Sequence, residues 1–217
     1  GDVNVAGVGS GGTGSGPATT FLLAGRVADG YLINAIIFLD KNNNYRLDEG
    51  EPFAITGDQG AYKLDVAAAD VGKYPLVVLA LRGATIDMDD NLPVKNSYIL
   101  SMSKESVHAV AENFISPISS QLREMMETGK YASMEQAAEV LRIKMGLPPG
   151  TNMLQDYVAQ KNRTIHVVAQ NMTALLASQM EQALTKDGTV DVNLYRGIMS
   201  ALNEAIPLLG DASAESK

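Results

Sequence analysis

The chain has 217 residues, 46% of them hydrophobic, and a formal net charge of −8. That is enough for one large or two small domains with a real core, and the acidic balance supplies no basic stripe to displace counterions from phosphates, which argues against nucleic acid. Cysteine is absent, which excludes disulfides, thiol chemistry and Cys-ligated zinc, and no apolar run approaches the roughly eighteen residues of a membrane span.

Gly1–Thr20 reads as a flexible tether, because Gly, Ser and Thr dominate Gly7–Gly16. Gly7-Val-Gly9-Ser-Gly-Gly12 satisfies G-x-G-x-x-G in form only, since no strand pattern precedes it and no helix pattern follows. From Phe21 to Met102 the signals are strands. Leu22–Ala28 and Ile33–Leu39 are runs of Ile, Leu and Val separated by Asp29-Gly30, a hairpin turn signal. Phe53–Thr56 and Ala61–Val66 flank Gly57-Asp58-Gln59-Gly60, and Tyr62, Leu64 and Val66 alternate with the period of a half-buried strand. Pro75–Leu81 reads as a central strand and Tyr98–Met102 as a weaker one. Six short strands with regular turns imply an antiparallel β-sandwich over residues 21–102.

Inside that half lies Asp40–Glu51, D-K-N-N-N-Y-R-L-D-E-G-E. Asp40, Asn42, Asn44, Asp48 and Glu51 occupy positions one, three, five, nine and twelve of a loop. Arg46, at position seven, offers a backbone carbonyl. A hard cation such as Ca²⁺ takes six to eight oxygen ligands, and this alternation points successive oxygens inward. Leu47 is placed to anchor the loop to a core. Position six is Tyr45, where such loops take Gly for the sharp turn, so a site of modest affinity is expected. Asn43 falls between ligand positions and is expected to be dispensable. The flanks are strands, so the ion is structural rather than part of a helix-loop-helix switch.

From Ser103 the pattern becomes helical, giving an all-α region over residues 103–217 and an α+β chain as a whole. Ser116-Pro117 opens a helix with Ile118, Leu122 and Met125 on one face, stopped by Gly129. Ser133 and Gln136 form a capping box for a second, ended by Gly146 and Pro148-Pro149. Thr151 or Asn152 begins a third, with Leu154, Tyr157 and Val158. Ile165, Val168, Ala169, Met172, Leu175, Leu176, Met180 and Ala183 mark a long amphipathic helix, broken at Asp187-Gly188. Asp191 caps the last, with Leu194, Ile198, Leu202 and Ala205, and Ala212–Lys217 is a frayed tail.

Other chemistry is sparse. Asp87, Asp89 and Asp90 form a second acidic cluster, read as a solvated loop or as further metal ligands. Ser101-Met-Ser-Lys104 matches S-x-x-K without the companion motifs of penicillin-recognising enzymes. His108 and His166 both fall in helical patterns. Asp187-x-Thr189-x-Asp191 is weaker still, and Asn162 and Asn171 begin glycosylation sequons in form only. No catalytic residue is assigned.

The stretch G-R-V-A-D-G-Y-L-I-N-A-I-I-F-L-D-K-N-N-N-Y-R-L-D-E-G-E-P, followed by T-G-D-Q-G-A-Y-K-L, resembles the prealbumin-type repeats of bacterial surface proteins. These include carboxypeptidase regulatory-like domains, Cna-B-like domains and the calcium-binding B repeats of staphylococcal adhesins. The resemblance covers Gly25–Leu64. It implies a prealbumin-like sandwich with Asp40, Asn42, Asn44, Asp48 and Glu51 on calcium. No isopeptide cross-link is implied, because Leu22–Ala28 lacks the lysine. The Gly-rich start resembles the spacers after the lipidated cysteine of bacterial lipoproteins, which implies a signal peptide and lipid anchor upstream of Gly1. The stretches I-S-P-I-S-S-Q-L and M-G-L-P-P-G-T resemble helical segments that trail such sandwiches in exported bacterial proteins. The expectation is therefore an exported protein of the cell surface, outer membrane or periplasm, binding an unidentified protein or glycan in adhesion or envelope assembly. The alternative is a hydrolase or enzyme accessory protein with a site at the sandwich–helix junction, around Asp87–Asp90 and His108.

Overall fold

Alternation builds the first sheet. In β5 (Ala61–Ala67) Tyr62, Leu64 and Val66 are buried while Ala61, Lys63 and Asp65 face solvent, the expected signature of a strand with one covered face. β5 pairs antiparallel with β1 (Thr20–Val27), from Thr20 opposite Ala67 to Arg26 opposite Ala61. The computed structural model describes residues 19–185 and 189–215, with the backbone alone for 211–215. The proposed tether therefore lies outside the described residues up to 18, as do Asp187-Gly188 and the end of the tail.

Among the described residues the chain is mixed α+β, with ten strands in three small sheets and four α-helices. The second sheet has the order β4 (Phe53–Ile55), β3 (Ile36–Leu39), β6 (Leu76–Ala80), β9 (Tyr98–Met102), all antiparallel. β6 and β9 are almost wholly buried. β3 and β4 lie against β5 of the first sheet, and the helix α1 (Pro117–Glu127) lies against β9. The third sheet is a small ladder of β2 (Leu32–Ile33), β7 (Ile86–Asp87) and β8 (Leu92–Pro93).

Two differences from the sequence reading shape the molecule. Asp29-Gly30 does form a tight turn, bridged at Ala28 and Tyr31, but it does not fold β1 onto β3. Asn34, with φ of 62°, side-steps the chain so that the two strands enter different sheets. Strands also do not stop at Met102. β10 (Asn113–Ile115) joins β1 in parallel, Gly25 opposite Asn113. A Cβ on Gly25 would collide with the Asn113 carbonyl oxygen, so glycine is what lets the backbones meet.

The helices start where their caps dictate. In α1, Ser116 and Ser119 form a reciprocal capping box with Pro117 at the first position. In α2 (Met134–Lys144) the box is incomplete: Ser133 accepts from Gln136 N at 3.1 Å, but Gln136 reaches Ala132 N rather than Ser133. The third expected helix is absent. Asn152 Oδ1 takes Leu154 N, and Asp156 Oδ1 takes Val158 N and Ala159 N, so side chains divert the backbone into turns. The long helix is α3 (Arg163–Ala183), capped by Asn162. Asp191 caps α4 (Val192–Glu215), whose buried face runs through Tyr195, Ile198, Met199, Leu202 and Ile206. Leu175 and Leu194, expected on the apolar faces, are more than a third exposed. α4 carries helical backbone through Glu215, into the expected tail. One continuous hydrophobic core runs from the strands into the helices. No helix among the described residues is long and apolar enough to cross a membrane.

Candidate metal centres

The Asp40 loop wraps its two terminal carboxylates with its own amides. Asp40 is wholly buried, and its oxygens accept from Asn44 N at 3.3 Å and Tyr45 N at 2.8 Å. Glu51 closes the other end, accepting from Lys41 N at 2.7 Å and Asp48 N at 2.8 Å. Burial nevertheless dominates, raising the Glu51 carboxyl above its ordinary range against those amides. Asn42 and Asn44 donate their amides to Asp48 Oδ2 at 2.6 and 2.7 Å, which holds the Asp48 carboxyl low. Arg46 donates its backbone N to Asn44 Oδ1 at 3.0 Å, and its guanidinium lies 3.7 Å from Asp48. Asp40, Asn42, Asn44, Asp48 and Glu51 are thus linked within one small loop.

Position six takes the turn in spite of its side chain. Tyr45 adopts φ of 62°, the left-handed turn that glycine would make. The strain is met by anchoring. The ring is wholly buried, 4.9 Å from Tyr195 and 4.2 Å beneath the Arg123 guanidinium, and its hydroxyl donates to Glu124 on α1. Leu47, the expected anchor, is only partly buried. Asn43 is not idle either. It has φ of 60°, and its Oδ1 accepts from the buried Arg123 at 2.5 Å. The loop is pinned to α1 through residues that are not ligands.

A second acidic group forms at the far end of β2. Asp29, Asp87 and Asp89 offer oxygens that all lie within 4.8 Å of one another, the geometry of a group able to hold a metal ion. Asp29 comes from the turn after β1. Asp87 ends β7, opposite Leu32. Asp89 lies in the β7–β8 turn, with its N donating to Asp87 Oδ1 at 2.9 Å. Gly30 allows the packing: a Cβ there would overlap Asp89 and come within 2.6 Å of Asp87 Oδ1. α3 covers the edge, with His166 Nε2 and Gln170 Nε2 at 3.0 and 2.8 Å from Asp89 Oδ2. Gly30 N donates to the same oxygen at 2.9 Å. Burial and the neighbouring Asp87 and Asp89 charges push the Asp29 carboxyl well up. Burial also raises Asp87. At Asp89 burial is outweighed by the bonds from His166 and Gln170, and the carboxyl is held low.

Of the sequence cluster, then, Asp87 and Asp89 come together, while Asp90 turns away to cap Leu92 N at 3.0 Å. The third member, Asp29, was read only as a turn residue. Nothing local marks it, because its partners are set by the β2–β7 pairing. His108 lies in the irregular segment before β10, not in a helix, and its backbone N is held by Asn113. His166 is the histidine that reaches the junction. Ser101 is wholly buried in β9, and Lys104 is exposed, so the S-x-x-K residues do not converge.

No family model, curated protein or solved structure matches the chain.

Proposed function

We propose that the protein is an exported bacterial surface protein, a calcium-stabilised binding module without catalytic activity of its own. In this reading the two larger sheets are the faces of a prealbumin-like sandwich, and the helices form the body on which it rests. A lipid anchor upstream of Gly1 would hold it to the membrane. The observation that carries the reading is the loop: Tyr45 takes the left-handed turn at position six, and hydrogen bonds within the loop tie Asp40 to the Asn44 and Tyr45 amides, Glu51 to the Lys41 and Asp48 amides, and Asn42 and Asn44 to Asp48. Calcium would be held by the side chains of Asp40, Asn42, Asn44, Asp48 and Glu51 and by the Arg46 carbonyl. The two asparagines, which now present amide nitrogens to Asp48, would turn their oxygens to the ion.

The ligand surface follows from the same neighbourhood. A cleft of about 440 Å³ opens beside the loop, lined by Lys41, Lys73, Lys104 and Arg123, by Asp40, Glu105 and Glu127, and by Tyr74. Charges of both signs around an aromatic face suit a polar glycan or a segment of a protein. Calorimetry on EDTA-stripped protein tests the ion. Binding of one Ca²⁺ at roughly 10⁻⁴–10⁻³ M, the range of extracellular modules, supports the reading, and no loop-dependent binding up to several millimolar ends it. Fractionation of cells making the full-length precursor tests export.

A further inference from the structure

Asp29 is 6% exposed, and its Oδ1 has no hydrogen-bond partner. Thr173, on α3, lies beside Asp29. It too is 6% exposed, with an unpartnered Oγ1. Buried polar atoms are almost always paired, and Asp29 Oδ1 and Thr173 Oγ1 are two of the exceptions among the described residues. A purely structural cluster would arrange donors for these oxygens. Instead the geometric donors gather at the rim, where Gly30 N, His166 and Gln170 meet Asp89 Oδ2, while Asp29 Oδ1 on the buried side faces Thr173 and Asp87 without a well-formed hydrogen bond.

We propose that Asp29, Asp87 and Asp89 bind a hard divalent cation, with the Thr173 hydroxyl at its buried side. The site is separate from the Asp40 loop and rests on different residues. All donors are oxygens, which selects calcium or magnesium over softer ions. Oxygens bonded to one calcium at about 2.4 Å lie no more than about 4.8 Å apart, the spread this group shows. His166 and Gln170 act as positioning residues that fix Asp89, as outer-shell partners of metal carboxylates do. Asp29 lies in the turn between β1 and β2, Asp87 in β7 and Thr173 on α3, so the ion would clamp the β2–β7 ladder to α3.

The test is calorimetric titration of the EDTA-stripped full chain with Ca²⁺ and, separately, Mg²⁺, on the wild type and on Asp89→Asn, Asp29→Asn and Glu51→Gln. Asp89→Asn sits at the half-exposed rim and keeps its shape, so it reports even if a substitution at buried Asp29 does not fold. The proposal expects one cation, taken up by the wild type and by Glu51→Gln, to be weakened at least tenfold in Asp89→Asn and in Asp29→Asn. Gln170→Ala should weaken it too, by about tenfold, with the loop ion unchanged. Two outcomes overturn it: a wild type whose only cation disappears in Glu51→Gln, or Asp89→Asn binding as the wild type does. Loss of the loop ion alone bears on the proposed function and leaves this site standing.

Discussion

The two acidic regions are opposites in how they treat their oxygens. The Asp40 loop draws its ligand set from twelve consecutive residues, and its own backbone amides occupy all four oxygens of Asp40 and Glu51. The Asp29 group is assembled from residues distant in sequence and covered by a helix, and the buried Asp29 Oδ1 has no hydrogen-bond partner. Regular spacing in sequence therefore marks a loop able to hold its shape before any ion arrives. Unpaired buried oxygen marks a place where the fold is incomplete by itself. A self-satisfied loop should lose little when cations are stripped. A convergence of carboxylates should lose more, because like charges at short range repel and burial weakens their solvation.

The largest effect expected is at Tyr45, which is not a ligand at all. Tyr45→Ala removes a wholly buried ring from between Arg123 and Tyr195 and leaves Glu124 without its hydroxyl donor. Truncations of buried aromatics cost about 3–5 kcal/mol, and urea unfolding should show a loss in that range. A loss below about 1 kcal/mol would mean that the loop is not anchored to α1 as described. Asn43→Ala comes next. It removes the Oδ1 that accepts from Arg123 Nη2, leaving that nitrogen only Glu127 at 3.6 Å, and places alanine at a positive φ. An unsatisfied buried donor costs about 1–3 kcal/mol. The calcium isotherm should be unchanged, since Asn43 does not face the ligand set. A large stability loss with intact calcium binding separates anchor from ligand within one loop.

Gly30→Ala carries the comparison to the other region. The added methyl would overlap Asp89 and crowd Asp87, and overpacking of this kind costs about 1–3 kcal/mol. The loop's calcium response should survive, because no loop residue touches Gly30. If Gly30→Ala abolishes all cation binding, the two regions are one site and the contrast between them fails.

What the sequence revealed tracks how local each cause is. β5 announces itself by alternation. α1, α3 and α4 announce themselves by caps and by apolar faces, and the loop by its oxygen spacing. The missed elements depend on distant partners. β10 exists because Gly25 admits it, and Asp29 becomes a buried carboxylate because β2 pairs with β7. The mistaken helix after Thr151 had the right apolar spacing, and Tyr157 is indeed buried, donating to Asp29 O at 2.7 Å. Asn152 and Asp156 decided its backbone instead. Tyr45 looked like a defect by the rules for position six. Only the three-dimensional contact with α1 shows why a tyrosine holds a glycine's conformation.

The smallest effect is the one that isolates the ion. Glu51 receives two amides, from Lys41 and Asp48. Glu51→Gln keeps the length but turns one acceptor into a donor that faces an amide. The ion-free protein should lose about 1 kcal/mol, the net worth of one hydrogen bond. The larger change is in the response to calcium. With a dissociation constant near 10⁻⁴ M, 1 mM Ca²⁺ stabilises the wild-type loop by about 1.4 kcal/mol through linkage. Glu51→Gln removes the charge and one oxygen of the ligand that closes the shell, so most of that increment should vanish. Melting curves with and without 1 mM Ca²⁺, run on Glu51→Gln in an Asp89→Asn background, keep the second site silent. An undiminished shift in that double variant would show that Glu51 serves the loop's amides alone and that calcium is held elsewhere.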